Sequence, residues 1–416
     1  MIDTQLLDAV VADQADAFAR KSSGVPRILD FDKYIATKQI VVISGVRRSG
    51  KSTLLAQFSK SLQPFHFITF DDERLLDFSL QDFQSLLLVF KKRHSGRVVF
   101  LDEVQNVVGW ERFVRRLHDE GYKVFVTGSN AKLLGSELAT HLTGRYFKIE
   151  LFPLSFREFL AFRSLSDSPH TTAQQGAVQG AFDEYLSIGG FPEMVASRDN
   201  EVLLQLYEDV LYKDLIIRFK IRDVKLFRQL AQFLFTNIAT EISYHGLSKL
   251  LSAKSAVSIK RYVSFLAEAY LIGEVYKYDW SLKKQFVSNK KVYAIDTGMR
   301  SRVAFTFSED TGRLLENIVY LELRRRGKEI FYFKDTRECD FVIREKNRVV
   351  EALQVTRTLD PKNEKREIEG LLQALRYCHT KIGTIITYSQ RKNVEREGFQ
   401  IRIVPITDWL LDLRKK

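Results

Sequence analysis

Short runs of apolar residues alternate with longer stretches of mixed polarity over the first third of the chain. Five of these runs have the length of β-strands and lie at residues 39–44, 65–70, 98–102, 123–127 and 146–151. Strands that are apolar on both faces are typical of a parallel sheet covered by helices. The stretches between the runs are long enough for helices, so the pattern predicts an α/β domain over residues 1–154.

The pattern changes after residue 154. Residues 155–222 predict helices interrupted by a Gly-Gly-Phe-Pro turn, which we interpret as a helical lid. Residues 223–285 predict three short helices followed by a strand and a turn, and residues 286–416 predict a second mixture of strands and helices. We therefore expect four units along the chain.

Charge favours a polyanionic partner. The 416 residues include 64 Lys and Arg against 52 Asp and Glu, a formal net charge of +12. Nucleic acid or a membrane surface would fit this excess, although simple solubility would also explain it. The apolar runs are too short to span a bilayer, no export signal is evident, and two cysteines give no disulfide framework or zinc spacing. We expect a cytoplasmic protein.

The first apolar run leads into a complete phosphate-binding loop of the pattern G-x-x-x-x-G-K-[ST]. Its residues are Gly45, Val46, Arg47, Arg48, Ser49, Gly50, Lys51 and Ser52, and Thr53 follows in a predicted helix. Glycines let successive N–H groups point at phosphate oxygens, and the helix N-terminus adds partial positive charge. We expect Lys51 to reach the terminal phosphates and Ser52 to ligate Mg²⁺. The two arginines could contact phosphates or face solvent.

Polar residues end two further strands. Asp102 and Glu103 follow the run at 98–102. Asp102 is expected to hold Mg²⁺, and Glu103 to act as the general base on the attacking water. Ser129 and Asn130 follow the run at 123–127 and are candidates to sense the γ-phosphate, because strand carboxyl ends line the ligand crevice of a parallel sheet. Ser129 could equally be a helix cap.

In this order the motifs resemble the AAA+ class of P-loop ATPases, and the chain as a whole resembles a bacterial and archaeal group of them with a poorly characterised C-terminal domain. The resemblance extends to Leu142-Thr143-Gly144-Arg145, Pro153-Leu154-Ser155, Gly189-Gly190-Phe191-Pro192, Tyr212-Lys213-Asp214 and Tyr293 to Gly298. It implies ATP as the nucleotide and assembly into a homo-oligomer. It also implies that Arg145 is an arginine finger for a neighbouring subunit, which would spread positive charge over the transferred phosphate. A structural salt bridge is the alternative.

Residues 223–285 resemble a winged helix-turn-helix module. Ile259, Val263, Leu266 and Tyr270 recur at helical spacing and should face inward. Residues 254–291 carry eight Lys and Arg against three Asp and Glu, interleaved with aromatic residues, a composition that suits phosphate and base contacts. The candidate DNA-binding residues are Ser258, Lys260, Arg261, Lys277, Lys283 and Lys284. A module that docks a protein through a solvated basic face is the alternative.

Residues 286–416 resemble a restriction-endonuclease-like domain. The matching acids are Glu316 on a predicted helix and Asp340 on a predicted strand. Where such nucleases carry Glu-x-Lys, this chain has Gln354, Val355 and Thr356, and Thr cannot replace a cationic lysine. We therefore expect a catalytically degenerate domain that binds DNA or docks a protein.

Three functions remain open from the sequence. The first is an AAA+ ATPase coupled to binding or remodelling of duplex or branched DNA. The second is a nucleotide-gated switch that assembles and docks proteins. The third is an ATP-controlled nuclease, against which the missing lysine argues.

Overall fold

The computed structural model describes residues 2–129, 142, 144–305 and 310–412 and divides into two compact units, 1–151 and 152–416. The helices of the first unit are α1 (Thr4–Ala19), α2 (Phe31–Ala36), α3 (Lys51–Ser59), α4 (Phe83–Arg93) and α5 (Trp110–Asp119). Its strands are β1 (Ile40–Ser44), β2 (Phe65–Thr69), β3 (Val98–Asp102), β4 (Lys123–Gly128) and β5 (Tyr146–Glu150). Each strand lies within one residue of a predicted run.

The first sheet is parallel and has the order β2-β3-β4-β1-β5. β4 therefore lies between β1, which leads into the phosphate-binding loop, and β3, which carries the acidic pair. All five strands point the same way, so their carboxyl ends share one edge of the sheet. The α/β class and the parallel sheet predicted from the sequence are confirmed.

Alternate residues of these strands pack on opposite faces. Val99 and Leu101 belong to a core built with α1, α4 and α5, whereas Phe100 packs with Phe58 of α3 on the other face. Phe58 and Phe125 lie 4.9 Å apart between ring centroids. Helices cover both faces, which explains why the strands are apolar throughout.

The second unit begins with helices and continues as a mixture of helices and strands. Its helices are α6 (Phe156–Phe162), α7 (Thr172–Ile188), α8 (Pro192–Ser197), α9 (Glu201–Asp209), α10 (Val224–Thr236), α11 (Tyr244–Leu250), α12 (Ala256–Glu268), α13 (Leu282–Val287), α14 (Thr297–Val303), α15 (Thr311–Arg325), α16 (Glu364–Tyr377) and α17 (Ile406–Leu410). α9 runs on into a π-helical segment, Val210–Ile217. In the part of the chain that the structure describes, no helix is both long and apolar enough to cross a bilayer.

The strands of the second unit are β6 (Thr240–Ile242), β7 (Ile272–Lys277), β8 (Lys290–Ala294), β9 (Glu329–Lys334), β10 (Glu338–Glu345), β11 (Arg348–Val355), β12 (Ile382–Thr387), β13 (Lys392–Arg396) and β14 (Phe399–Pro405). They form one mixed sheet of order β13-β14-β12-β11-β10-β9-β7-β8-β6. The boundary expected near residue 285 falls between β7 and β8, which are antiparallel neighbours in this sheet. The division into four functional units stays a prediction.

Three motifs of the family resemblance meet inside the second unit. Gly190 N donates a hydrogen bond to Asp296 Oδ2 at 2.7 Å, and Leu154 N donates to Gly190 O at 2.7 Å. A Cβ on Gly189 would lie 2.0 Å from Asp296 Oδ1, and one on Gly298 would lie 2.0 Å from a backbone oxygen at the end of α7. Burial raises the pKa of Asp296 to about 6. These glycines allow close packing, so the motifs have a structural role.

Candidate functional site

The phosphate-binding loop joins the end of β1 to the start of α3. Gly45 packs so closely against the end of β5 that a Cβ would lie 2.1 Å from the Leu151 oxygen. Gly50 has a φ of 96°, in the left-handed region that favours glycine, and a Cβ placed there would meet none of the described atoms within 4 Å. Ser49 is fully buried, and among the described residues its hydroxyl has no hydrogen-bond partner. The loop is therefore a curled backbone with a buried hydroxyl inside.

Lys51 lies inside this curl. Its side chain is only 3% exposed and its Nζ lies 3.6 Å from Glu103 Oε1. The same ammonium donates to the carbonyl oxygens of Gly45 and Val46, each at 3.2 Å. The loop's own carbonyl groups thus hold the cation that was predicted to meet the terminal phosphates.

Ser52 and Asp102, the predicted metal ligands, are in direct contact. Ser52 Oγ donates to Asp102 Oδ2 at 2.9 Å. Thr127, on the neighbouring strand β4, donates its hydroxyl to Asp102 Oδ1 and accepts a hydrogen bond from Glu103 N at 3.0 Å. Burial, and then the adjacent Glu103 charge, raise the pKa of Asp102. Thr127 had no role predicted from the sequence, although it lies at the end of a predicted strand, where site residues are expected.

Glu103 has a constrained backbone and a side-chain partner. Its φ is 51°, in the left-handed region that is uncommon for residues other than glycine. Gln105 Nε2 donates to Glu103 Oε2 at 2.5 Å and lies 3.4 Å from Ser129 Oγ. Gln105 was not predicted, and it connects the general-base candidate to the sensor candidate. The second sensor candidate, Asn130, lies outside the described residues.

Arg145 lies at the amino ends of the strands, and the phosphate-binding loop lies at their carboxyl ends. Its carbonyl accepts a hydrogen bond from Ile40 N at 2.9 Å, at the start of β1, whereas the phosphate-binding loop follows Ser44 at the other end. Five residues of β1 separate the two places, about 13 Å along a strand. The Nε of Arg145 lies 3.6 Å from Asp119 Oδ1. Arg145 is therefore remote from the nucleotide site of its own chain.

Comparison with known proteins places the chain in a family. Residues 37–160 match the AAA domain family AAA_14, residues 179–310 match a domain of unknown function, DUF8612, and residues 311–409 match another, DUF4143. The chain is 34% identical to "Uncharacterized protein MJ1544" of Methanocaldococcus jannaschii, over 99% of this chain and 96% of that protein. The chain belongs to the AAA-domain family that contains MJ1544.

Another similar protein is bacterial. An uncharacterized protein of Haemophilus influenzae is 31% identical over 90% of this chain and 95% of its own length. Among solved structures, a STAND ATPase with a tetratricopeptide repeat sensor from Pyrococcus horikoshii aligns with 73% of this chain and 47% of its own, at 15% identity and a TM-score of 0.27. The replication initiator DnaA, bound to AMPPCP and single-stranded DNA, aligns with 57% of this chain and 85% of its own, at 12% identity and a TM-score of 0.26.

The loop of this AAA-domain protein suits a nucleotide phosphate group. Among the described residues, the buried Ser49 hydroxyl has no partner and the space at Gly50 is open, which leaves room and hydrogen-bonding capacity where an anion would lie. Ser52 and Asp102 offer oxygen atoms, which Mg²⁺ prefers. In the described ranges, no group of three or more His, Cys, Asp or Glu side chains is arranged to hold a metal. The residues that would hold Mg²⁺ are Ser52, with one hydroxyl, and Asp102, with one carboxylate.

The DNA-binding candidates lie on α12, β7 and α13. Ile259, Val263, Leu266 and Tyr270 are buried, which confirms the inward face predicted for the second helix. The candidate DNA-binding side chains differ in exposure. The exposed ones are Lys260, Arg261, Lys283 and Lys284, and the half-buried ones are Ser258 and Lys277.

A buried charge cluster connects the acids of the C-terminal region. Lys291 on β8 is 1% exposed, and its Nζ lies 2.9 Å from Glu316 Oε1, 2.6 Å from Glu338 Oε1 and 3.1 Å from Asp340 Oδ1. Tyr293 donates its hydroxyl to Glu316 Oε1 at 2.7 Å. Burial, and then Asp340, raise the pKa of Glu316 to about 8. A lysine from a distant strand thus lies among the carboxylates.

Gln354 belongs to the same constellation. Its Oε1 accepts a hydrogen bond from Asp340 N at 3.3 Å, and its Nε2 donates to Glu367 Oε2 at 2.6 Å. Thr356 donates to Thr358 O at 3.2 Å. The structure thus brings together Glu316, Asp340 and Gln354, and Lys291, which the sequence analysis did not consider, is the cation between the two acids.

Proposed function

We propose that this protein is an Mg-ATP hydrolase whose turnover is coupled to DNA. The observation that carries the proposal is the connected set of contacts at the carboxyl edge of the first sheet, in which Lys51 lies beside Glu103, and Ser52 contacts Asp102. A phosphate cradle, a metal-binding pair and a carboxylate for a water molecule are the parts that phosphoryl transfer requires.

Each side chain has a definite task in this proposal. Bound Mg²⁺ would supply positive charge to the phosphate oxygens. Lys51 adds a second cation held by loop carbonyl groups, and Asp102 and Ser52 would hold the metal. Glu103 accepts the proton of the attacking water, and Gln105 fixes the direction of that carboxylate.

Arg145 completes the site of a neighbouring subunit. In its own chain it lies beyond the start of β1, so it cannot reach the phosphate-binding loop there. Its side chain is 35% exposed and its Asp119 contact, at 3.6 Å, is long. An exposed pair of this kind contributes little stability, so the arginine can exchange this partner for a phosphate at an interface between copies.

Mixing two inactive variants tests the shared site. Lys51→Ala removes the phosphate contact, and Arg145→Ala removes the finger, so each variant alone should hydrolyse ATP poorly. Random mixing of equal amounts in a head-to-tail assembly brings an unaltered phosphate-binding loop together with an unaltered Arg145 at about a quarter of the interfaces. We expect phosphate release to recover toward that fraction in the mixture. A mixture as inactive as its parts would remove Arg145 from the mechanism.

DNA coupling rests on the arrangement of α10, α11 and α12 with β6, β7 and β8. The chain runs through α10, β6, α11 and α12 and then into the antiparallel pair β7–β8. β6 pairs with β8, on the side opposite β7. This is the order expected of a winged helix. Ser255 Oγ caps α12 by accepting from Ser258 N at 3.2 Å. Lys260 and Arg261 face outward on the first turns of this helix, where they could meet phosphates.

Charge reversal on α12 tests the coupling. Lys260→Glu with Arg261→Glu should reduce DNA-stimulated ATP hydrolysis and DNA affinity by about 100-fold at low salt, because two phosphate contacts become repulsive. ATP hydrolysis without DNA should change little.

Lys92→Glu with Lys381→Glu is the matched control, since both lysines are exposed and the net charge changes equally. Equal losses in the two double variants would indicate a general charge effect. Unchanged stimulation after reversal on α12 would contradict the DNA-binding role.

A further inference from the structure

The helix between β7 and β8, α13, exposes apolar side chains and buries a polar one. On α13, 61% of Leu282, 65% of Phe286 and 76% of Val287 is exposed. Gln285, in contrast, is 7% exposed, and its Nε2 donates to Asp279 O at 2.6 Å. Burial of apolar surface is the main force that folds a chain, so folding alone does not account for this arrangement.

Lys290 holds the same helix from its inner side. This lysine is 6% exposed, and its Nζ donates to Phe286 O at 3.1 Å and to Ser288 O at 3.0 Å. The ammonium also lies 4.8 Å from the ring centroid of Tyr276 and 5.5 Å from that of Tyr244. Polar and cation–π contacts therefore anchor α13, and its apolar side chains remain available for a partner.

We call Trp280, Leu282, Phe286 and Val287 the apolar tip. Trp280 is 57% exposed. Exposed apolar side chains close together in the sequence and beside polar ones are typical of an interaction site. Here the polar ones are basic: Lys283 and Lys284 are exposed on the same short helix. Basic side chains favour a polyanion as the partner.

The shape of the tip discriminates between polyanions. Its side chains are between 57% and 76% exposed, as expected of side chains that project into solvent, whereas a groove that receives a peptide helix shelters its apolar lining. α13 has six residues, far fewer than the roughly 20–30 residues of many helices that lie in a membrane surface. Protruding apolar side chains beside cations suit insertion among nucleic-acid bases, which proteins use to unstack a duplex.

We propose that the apolar tip contacts unpaired bases where a DNA duplex opens, and that Lys283 and Lys284 contact the neighbouring phosphates. This inference rests on the proposed DNA coupling and makes it more specific: the substrate is a fork or branch rather than a continuous duplex. Lys260 and Arg261 would hold the duplex, and the tip would meet the bases beyond its end.

The test compares forked with blunt duplex DNA of the same paired sequence, with 2-aminopurine at the first unpaired position. Leu282→Ser combined with Phe286→Ser should lower the affinity for the fork about tenfold or more, because base stacking is lost. It should lower the affinity for blunt duplex less than about twofold, and it should abolish the change in 2-aminopurine fluorescence that the unaltered protein produces.

Two further variants make the comparison secure. Leu88→Ser removes a 57% exposed leucine from α4 and should bind both DNA forms like the unaltered protein. Phe286 contacts Tyr276 edge-on, with ring centroids 6.3 Å apart, so the double variant could lose structure. Val287→Ser, at the most exposed position of the tip, should retain the melting temperature and still bind the fork more weakly.

Several outcomes would overturn the inference. A base contact would be excluded if the tip variants bound the fork normally, or if they lost affinity for the fork and for the blunt duplex equally. Binding of phosphatidylserine vesicles or of an acidic protein through the tip, with fork binding unchanged, would identify another partner. If the unaltered protein binds both DNA forms equally and is stimulated by them, only this inference fails. If it binds neither, the proposed DNA coupling fails too.

Discussion

Replacing Glu103 by glutamine should leave ATP binding intact and slow hydrolysis by about 10²- to 10⁴-fold, the usual contribution of a general base. Glutamine has the same shape and can still accept a hydrogen bond from Gln105, but it cannot take a proton from water. Glutamate and glutamine adopt the φ of 51° at residue 103 equally well, because they have the same shape.

Electrostatics explains why binding should survive this change. The Glu103 charge is one of the two causes that raise the pKa of Asp102. Removing it makes ionised Asp102 easier to form, so the metal-holding carboxylate is at least as effective as before. It also frees Lys51 from an anion 3.6 Å away. Retention of a fluorescent ATP analogue should therefore equal or exceed that of the unaltered protein.

The measurement pairs single-turnover phosphate release with nucleotide retention. Asp102→Asn is the informative comparison, because it should weaken Mg-ATP binding as well as turnover. Glu120→Gln, on a surface carboxylate 39% exposed, should change neither. Turnover of Glu103→Gln within about threefold of the unaltered protein would remove the general-base role. Stable nucleotide binding with no measurable turnover in the unaltered protein would favour the nucleotide-gated switch.

Local signals in the sequence predicted the first unit well. β3 begins and ends at the predicted residues, because an apolar run bounded by polar residues fits a buried strand closely. α3 begins at Lys51, before the predicted start at residue 53, because the loop continues directly into the helix. Gly50 could be assigned a role because the motif fixes its place in the loop.

Contacts between elements were not predictable in the same way. Thr127 reaches Asp102 because β4 lies next to β3, and neighbours in a sheet do not follow from the order of strands along the chain. The sequence predicted a strand and a turn at the end of residues 223–285, whereas residues 282–287 form α13, on which Leu282 and Phe286 are exposed. Lys291 meets Asp340 across 49 residues of sequence, so no local pattern could indicate that it lies among the C-terminal acids.

Lys291→Met should lower the free energy of unfolding of the second unit by about 3–5 kcal/mol, the cost of removing one partner from a buried ion pair. The change leaves Glu316, Glu338 and Asp340 close together without their cation, and Lys291 is only 1% exposed. Methionine fills similar volume, so the effect reports charge rather than a cavity.

The two cysteines provide the readout. Cys339 and Cys378 are the only cysteines in the chain, and both are buried in the C-terminal core. The rate of thiol labelling in increasing denaturant therefore reports opening of this unit within the intact protein. Lys328→Met is the matched control, because Lys328 pairs with Glu345 at the surface, where side chains are 35% and 50% exposed. It should cost less than about 1 kcal/mol.

The pH dependence separates charge from packing. In the folded protein, burial and then Asp340 raise the pKa of Glu316 to about 8, above its ordinary value of 4.5. Its protonation therefore stabilises the folded state fully below pH 4.5, and this contribution is lost as the pH rises through 8. Glu316→Gln should flatten that part of the stability profile. The deficit of Lys291→Met should grow from pH 5 to pH 8, since more carboxylates must then ionise without a cation. A deficit equal at both pH values would mean that Lys291 acts through packing.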